Sequence, residues 1–323
     1  MQNRPKSTLK GALLMSQPAS LRKKTGLRAT MGKYWMLYLM FLPVLAYYIL
    51  FNYVPMFGVA IAFKNYKVTR GFLGSAWCGL DNFRSFFDSI YAWRCIRNTL
   101  SISLLSLIFG FPAPIILALM MNEVRQKRFL KVVQTITYMP HFISMVVMAS
   151  IILTFVSNNG ILNELLKKLG LGIIDFNNDP NCFYPVYIAS GILQGVGWGS
   201  IIYLSALAGI DPTLYEAATI DGAGRFRRLW HVSLPGILPT ITILLIMQVG
   251  GIMAVGSEKI LLLYSPSVYE KADVISTYIY RRGLSDGKYG LTSAVGLFES
   301  VINMALLLAA DRFSKLVGQR GLF

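Results

Sequence analysis

Residues 211–235 read DPTLYEAATIDGAGRFRRLWHVSLP and form a polar, charged interruption between two long apolar segments. Asp211 can accept hydrogen bonds from the free N–H groups of a first helical turn, and Pro212 suits the first helical position. Gly222 tolerates a positive φ at the point where the chain must leave that helix. The stretch therefore predicts a short helix, a glycine bend and a second short helix that Pro235 closes.

One face of the first short helix is predicted to carry small side chains. Leu214, Ala217 and Ala218 share this face because they are spaced i, i+3 and i+4. The small alanine side chains would let the face enter a groove closely, and Glu216 beside it could pair with a cation on a partner. Taken one by one, these residues would also fit an ordinary cytoplasmic loop that holds a helix-turn-helix.

The combined spacing in this stretch is more specific than any single residue. It runs Glu216-Ala217-Ala218, three residues, Gly222, nine residues, Val232, one residue, Leu234, Pro235. This pattern resembles the EAA loop of the membrane subunits of binding-protein-dependent ABC importers, in which the loop is a coupling helix that docks into a cleft on the ATPase. The residues to which the resemblance assigns coupling are Glu216, Ala217, Ala218, Asp221, Gly222 and Pro235.

The composition is typical of an integral membrane protein. Of the 323 residues, 54% are hydrophobic and 14% are charged, whereas a soluble domain carries roughly 25% charged residues. The mean hydropathy is +0.53. Because a helix needs roughly 20 apolar residues to cross a bilayer, the sequence predicts six spans, at about 35–56, 98–121, 133–156, 183–209, 237–257 and 290–310.

These spans predict an all-α membrane protein. A basic cytoplasmic arm is expected over residues 1–33, and a six-helix transmembrane permease domain over residues 34–320, with the coupling loop at 211–235. The resemblance implies the fold of type I ABC importer permeases, the MetI-like fold.

The distribution of positive charge predicts the orientation. The net charge is +16, and the Lys and Arg residues divide into 18 at the two termini and the two short loops against 13 in the three longer segments. Since positive residues near the spans mark the cytoplasmic side, both termini and the coupling loop should face the cytoplasm, with the chain in the bacterial cytoplasmic (inner) membrane. The charge would also attract anionic lipid, and a nucleic-acid partner is not needed to explain it.

The sequence carries no recognisable catalytic or nucleotide site. It has no G-x-x-x-x-G-K-[ST] motif, and its nearest approach, at Asp286-Gly287-Lys288, lacks a glycine at the required offset. Its cysteines form no CxxC and have no histidine at metal-ligand spacing, so we expect no metal site. Cys78 and Cys95 could pair as an external disulfide or remain as free buried thiols. The chain is therefore predicted to be a transport subunit and not an enzyme, with no cofactor of its own and with ATP and Mg²⁺ on a partner ATPase.

Polar side chains inside the spans are candidates for the substrate path, because they are costly in lipid and often functional. The candidates are Gln194, Trp198, Tyr203, Gln248, Glu299 and Asn303. Amides and aromatic rings suit a sugar, since they bind its hydroxyls and stack on its apolar faces. Each of these side chains could instead hold one helix against another. The glycine repeat at Gly191, Gly195 and Gly199 could do the same, because it lets another helix approach closely. His141 could be a pore ligand or a structural residue near a proline kink.

Further stretches resemble the carbohydrate-uptake permeases, in the branch of LplB-like proteins that includes alginate-oligosaccharide permeases. They are FNYVPMFGVAIAFKNY, GLDNFRSFF, GFPAPIILALMMNEVRQKRF, QTITYMPHFIS, YEKADVISTYIYRRGL and AVGLFESVIN. The resemblance implies a heterodimer with a second, homologous permease, two copies of an ABC ATPase and an extracellular or periplasmic solute-binding protein. Glu299 would suit a strongly anionic sugar only if it faced away from the path.

Other functions remain as alternatives at this point. An ABC permease for peptides or osmolytes would carry the same coupling loop. A secondary transporter would need no ATPase and usually shows internal repeats, which this sequence lacks between its halves. A membrane-bound enzyme would need the catalytic residues that are missing.

Overall fold

The structure is a computed structural model that describes residues 33–316, 318, 321 and 322. The basic arm predicted over residues 1–33 lies outside the described residues, apart from Lys33. The described chain is helical, and its only strand-like feature is an isolated antiparallel bridge between Lys64 and Trp77.

The main helices are joined by connections of very different length, the longer of which contain short helical turns. In chain order they are α1 (Trp35–Phe63), α2 (Ile90–Asn122), α3 (Lys127–Phe142), α4 (Met145–Phe155), α5 (Pro180–Ala208), α6 (Pro212–Ile220), α7 (Arg225–Gly250), α8 (Ser257–Leu263) and α9 (Tyr289–Leu316). Shorter helical turns occupy Val68–Arg70, Gly71–Gly74, Asp81–Phe87, Ile161–Lys168, Pro266–Val268, Tyr269–Ala272 and Ile275–Tyr280, and the last continues as a π turn over Arg281–Ser285. By length and composition, α1, α2, α5, α7 and α9 can each cross a membrane.

The predicted span at 133–156 is not one straight helix. It corresponds to α3 and α4, which meet at an angle of 106°. Pro140 lies just before the bend, Ile143 is extended, and the Ser144 side chain caps α4 by accepting from the Val147 N–H at 3.4 Å. The bend arises because proline removes a helical hydrogen bond and the two residues after Phe142 leave helical geometry. The described chain thus has five continuous spans, and six if the bent pair counts as one.

Other helices continue through their prolines, and α2 and α7 show how. In α2 a π turn over Ser106–Gly110 precedes Pro112 and Pro114, and in α7 a π turn over Leu229–Ser233 precedes Pro235. The prediction that Pro235 closes a second short helix is therefore wrong. The wider π turn accommodates the proline ring, so the helix that starts at Arg225 continues to Gly250.

The described residues fall into two compact units, one up to residue 57 and one from residue 58 onward. The described part of the first unit, residues 33–57, is an apolar helix in which the Tyr47 and Phe51 rings lie 5.1 Å apart between centroids. In the second unit, residues 81–87 are helical, and α2 begins at Ile90, before the start predicted at about 98.

The second unit is held together by three buried clusters of side chains. One joins α2, α4, α5 and α8 around Ile102, Ile152 and Ile260. Another joins the turn Asp81–Phe87, α2 and α9 around Phe86 and Val295. The third cluster joins α2, α5 and α7. Burial of this apolar surface fixes α5 at the centre of the bundle, between α2 and the bent pair α3–α4.

The closest approach between backbones in this bundle occurs at Gly197 of α5. A Cβ atom built on Gly197 would overlap the carbonyl of Thr137 in α3, whereas one on Gly195 would meet nothing within 4 Å. A Cβ on Gly199 would lie 3.1 Å from Pro114 of α2. Small residues permit such contacts between helices. The predicted repeat of Gly191, Gly195 and Gly199 did not include Gly197, where a Cβ atom would overlap the backbone of α3.

Candidate functional site

The predicted coupling helix is present as α6, and both of its ends have the expected caps. The Asp211 carboxylate accepts from the Thr213 N–H at 2.9 Å, and this hydrogen bond lowers the pKa of Asp211. At the other end Gly222 has φ +73°. The Gly222 N–H donates to the Thr219 carbonyl at 3.1 Å and the Ala223 N–H to the Ala218 carbonyl at 2.8 Å. This pair of bonds is a Schellman motif, for which glycine is the favoured residue.

Two side-chain contacts attach α6 to the start of α7. The hydroxyl of Tyr215 lies 3.0 Å from that of Ser233, and a guanidinium nitrogen of Arg228 donates to the Thr219 hydroxyl at 3.0 Å. Because Ser233 is buried, the first contact is shielded from solvent. The short helix and the following span are therefore linked by side chains as well as by the glycine bend.

The rest of α6 faces outward. None of its residues is buried, and Glu216 and Ala217 are exposed. Glu216 makes no ion pair within the described residues. Ile220 is 86% exposed, and Phe226 in α7 is 90% exposed. An exposed helix with flanking apolar side chains is the kind of surface that a partner covers.

A separate feature lies among the spans, where α2, α4, α5, α7 and α8 enclose a cavity of about 430 Å³. The cavity is lined by Ser106, Gly110, Phe111, Pro114, Met145, Tyr187, Ile188, Gly191, Ile192, Gln194, Gly195, Val196, Gln248 and Lys259. A second cavity of about 170 Å³ shares Ser106, Tyr187 and Gln248 with it. Ligand sites for small molecules are commonly concave and about 300–1,000 Å³ in size.

Of the predicted substrate-path residues, two line this cavity. Gln248 lines both cavities, and Gln194 lines the larger one. The Gln194 amide also reaches the Ile143 carbonyl at 3.5 Å, a long contact to a backbone group that the bend leaves outside the helices. Pro114 of α2 also forms part of the cavity wall.

The other predicted residues lie elsewhere. Trp198 stacks on His141 with ring centroids 4.5 Å apart and an interplanar angle of 4°, beside the bend between α3 and α4. Tyr203 is buried in the third cluster, and the Asn303 side chain accepts from the Met253 N–H at 2.9 Å. Glu299 is half-buried in α9 and lines neither cavity.

Two residues of the cavity wall, Tyr187 and Lys259, were not among the predicted site residues. Lys259 lies outside the predicted spans, but only 9% of it is exposed, and its ammonium donates to the Tyr187 carbonyl at 2.9 Å. The ammonium also lies 4.5 Å from the centroid of the Tyr187 ring. The sequence signal that marks Lys259 is its position two residues before the run Leu261-Leu262-Leu263-Tyr264, which is too common to single out a site.

A buried polar network lies between α2 and the segment that precedes α9. Asp273 is fully buried and accepts from Arg94 at 2.9 Å, from Arg281 at 2.8 Å and from Thr277 at 2.8 Å. Asn98, also fully buried, donates to the Asp273 carbonyl at 2.9 Å. This network anchors the loop over α2.

All three cysteines are free thiols, so Cys78 and Cys95 do not pair in this structure. Cys95 is buried and Cys78 is half-buried. Within the described residues, His, Cys, Asp and Glu side chains form no cluster that could hold a metal ion.

Comparisons with known proteins agree with this arrangement. A family model described as "Binding-protein-dependent transport system inner membrane component" matches residues 110–320. The chain is 43% identical to Protein LplB of Bacillus subtilis (strain 168), over 89% of this chain and 91% of that protein. It is 41% identical to the polygalacturonan/rhamnogalacturonan transport system permease protein YteP of the same organism, over 94% of each chain.

A solved structure is also similar. The crystal structure of a bacterial alginate ABC transporter in complex with an alginate pentasaccharide-bound periplasmic protein contains a chain that is 44% identical to this one. The two superpose with a TM-score of 0.85, covering 92% of this chain and 99% of the other.

Proposed function

The chain belongs to the family of binding-protein-dependent transport system inner membrane components, and from this premise we propose that it carries oligosaccharides through the membrane for an ATP-driven importer. As a member of that family it is a multi-pass membrane subunit of a transporter and not an enzyme. The predicted all-α permease fold is confirmed by the similarity in structure, at a TM-score of 0.85.

The observation that carries the proposal is α6, an exposed helix that is capped at both ends and attached to a span. In an importer of this kind, closure of the ATPase dimer would move α6 as a rigid body and swing the attached spans, so that a central cavity changes sides. Force can pass from α6 to α7 by the Gly222 bend and by the contact between Tyr215 and Ser233. Glu216 is available to pair with a cation of the ATPase.

The proposed assembly has four kinds of subunit. This chain would pair with a second, homologous permease, bind two copies of an ABC ATPase that hold the ATP and Mg²⁺, and receive solute from an extracellular or periplasmic binding protein. Both termini and α6 would face the cytoplasm. The positive charge of the short loops supports this orientation.

An oligosaccharide fits the cavity wall better than a peptide or an osmolyte. The wall of the larger cavity offers the amides of Gln194 and Gln248, a serine hydroxyl and the ring of Tyr187. These groups bind sugar hydroxyls and stack on sugar faces. Relatives whose names state a polysaccharide solute, such as YteP and the alginate transporter, support the same solute class.

The experiment is reconstitution of the complete transporter in proteoliposomes, with this chain, its second permease, its ATPase and its binding protein. We expect uptake of radiolabelled trisaccharides that requires ATP and the binding protein, and that stops when Glu216 and Ala217 are replaced by bulky lysines. The matched control replaces exposed Glu164, in the turn Ile161–Lys168, by lysine and should transport normally. Uptake without an ATPase would contradict the proposal, and so would uptake of peptides with none of sugars.

A further inference from the structure

Lys259 is a buried cation in the wall of the larger cavity, and no carboxylate neutralises it. Among the described residues its one hydrogen-bond acceptor is the Tyr187 carbonyl, which leaves two of its three N–H groups available. No ion pair involves Lys259 within the described residues, and Glu258 beside it in sequence is exposed. Among the residues that line the two cavities, Lys259 alone is charged.

Such an arrangement is unfavourable for folding alone. A buried charge without a counter-ion loses its hydration, and one hydrogen bond with a contact to an aromatic face offsets only part of that loss. An apolar residue at this position would fill the space between α5 and α8 without that cost. The surrounding wall also carries Gly191, where a Cβ would lie 3.3 Å from the ammonium nitrogen, so the backbone of α5 leaves room for the cation.

We propose that Lys259 recognises the carboxylate of an acidic sugar in this cavity, so that the solutes of this permease are oligosaccharides that contain uronic acid. The inference rests on the proposed function and names its substrate class. A carboxylate in the cavity would supply the missing negative charge and accept the available N–H groups in charge-assisted hydrogen bonds. The amides of Gln194 and Gln248 would bind the hydroxyls of the same solute.

The position of Glu299 agrees with an anionic solute. Its carboxylate would repel a uronate if it shared the cavity, but Glu299 lines neither of the two cavities. The cavity wall therefore presents one positive charge and no negative charge to the solute. A neutral sugar could accept hydrogen bonds from the ammonium but would leave its charge uncompensated, whereas a uronate would neutralise it.

The test uses the reconstituted transporter at pH 7, with a radiolabelled trigalacturonate and a radiolabelled alginate trisaccharide as acidic probes and maltotriose and arabinotriose as neutral ones. For the acidic probe that the wild type transports, we expect Lys259→Arg to stay within about threefold of the wild-type rate at subsaturating solute. Lys259→Met and Lys259→Gln should fall at least tenfold, as expected for loss of about 1.4 kcal/mol of binding or more. Lys167→Met, which removes an exposed lysine far from the wall residues in sequence, is the matched control and should be unchanged.

The possible results distinguish a failure of the Lys259 proposal from a failure of the proposed function on which it rests. If the wild type transports none of the four sugars with ATP, the proposed function fails. If it transports only the neutral sugars, the function holds and the inference is overturned. If it transports an acidic sugar and Lys259→Met or Lys259→Gln folds and transports it like Lys259→Arg, the charge is not used and the inference is again overturned. Thermal unfolding identifies a variant that fails to fold, and the other neutral variant then decides the test.

Discussion

The hydroxyl of Tyr215 in α6 lies 3.0 Å from the hydroxyl of Ser233 in α7. The bond links α6 to the next span on its shielded side, because Ser233 is only 1% exposed. We expect Tyr215→Phe and Ser233→Ala each to lower the solute transported per ATP hydrolysed by a few-fold, since a bond worth about 1 kcal/mol no longer holds α6 to α7. The ratio of uptake to ATP hydrolysis in proteoliposomes measures this. The double variant should be no worse than either single one, and additive losses would show that the two hydroxyls act separately.

Gly222 should tolerate substitution only by residues that accept a positive φ. Its φ is +73°, and a Cβ there would meet nothing within 4 Å, so backbone conformation alone decides the outcome. We expect Gly222→Val to weaken binding of the ATPase, because an ordinary L-residue in this conformation costs about 1–2 kcal/mol. Gly222→Asn should keep most of the binding, since asparagine adopts such conformations more readily. Co-purification of the ATPase with each variant is the measurement, and equal loss in both would argue against the bend.

Gly197 should be intolerant of even one methyl group. A Cβ there would overlap the Thr137 carbonyl, so Gly197→Ala forces α5 and α3 apart. We expect a loss of about 1–3 kcal/mol in unfolding free energy, seen as a lower midpoint of thermal unfolding in detergent. Gly195→Ala, in the same helix with open space at the Cβ position, is the control and should unfold within a degree or so of the wild type. A similar loss at both glycines would mean that helix propensity and not helix contact sets the effect.

Asp273 should be the most important carboxylate for stability. It is fully buried between Arg94 and Arg281, each with a side chain that is 31% exposed. Asp273→Asn leaves both guanidinium groups without their counter-charge and should cost about 2–3 kcal/mol, less than for fully buried partners because solvent screens the arginines. Asp286→Asn removes an exposed ion pair with Arg282 and should cost under about 1 kcal/mol. Unfolding in detergent compares them, and equal losses would contradict the assignment.

Uptake of an acidic sugar should fall as the pH rises past 8. Burial lowers the pKa of Lys259 from 10.5 to about 8, and no charged group contributes to that shift. The charged fraction of the amine therefore falls roughly tenfold between pH 7 and 9. Besides Glu258, which is exposed, the titratable group beside Lys259 is the ring of Tyr187. We expect uptake of the acidic trisaccharide to decline over this range in the wild type and to stay level in Lys259→Arg. A parallel decline in both would place the titrating group elsewhere.

The lowered pKa of Lys259 also makes the stability of the folded chain depend on pH. Between pH 8 and 10.5 the unfolded chain still holds the proton of Lys259 while the folded chain has released it. The unfolded state then binds more protons, so the stability contributed by this site rises with pH over that window. As the pH rises over this window, the free energy of unfolding should therefore increase while uptake of the acidic sugar decreases.

The short helix α6 could be predicted from the sequence because its determinants are local. Asp211 caps, Gly222 bends, and both effects depend on neighbouring backbone groups. The error at Pro235 has a local cause too, because a π turn can carry a helix through a proline and has no clear sequence signature. The bend between α3 and α4 was marked by Pro140, but its angle depends on how the two halves pack.

The cavity could be predicted only in part. Gln194 and Gln248 were selected as polar residues within spans, and both line the cavity. The same rule selected three residues that make contacts elsewhere in the bundle: Trp198, Tyr203 and Asn303. The rule cannot separate these cases, because they differ only in how each helix is rotated about its axis. Lys259 was missed because its burial depends on α8 folding back against α5, a contact between residues 72 positions apart.

The side chains that attach α6 to α7 differ from those that α6 presents outward. Tyr215 and Thr219 make the attachment, while Glu216 and Ala217 are exposed. In the proposed importer, a substitution on the outward surface of α6 would therefore alter binding of the ATPase and leave the contacts between α6 and α7 unchanged. Two importers that differ only at this surface would bind different ATPases through the same pair of side-chain contacts.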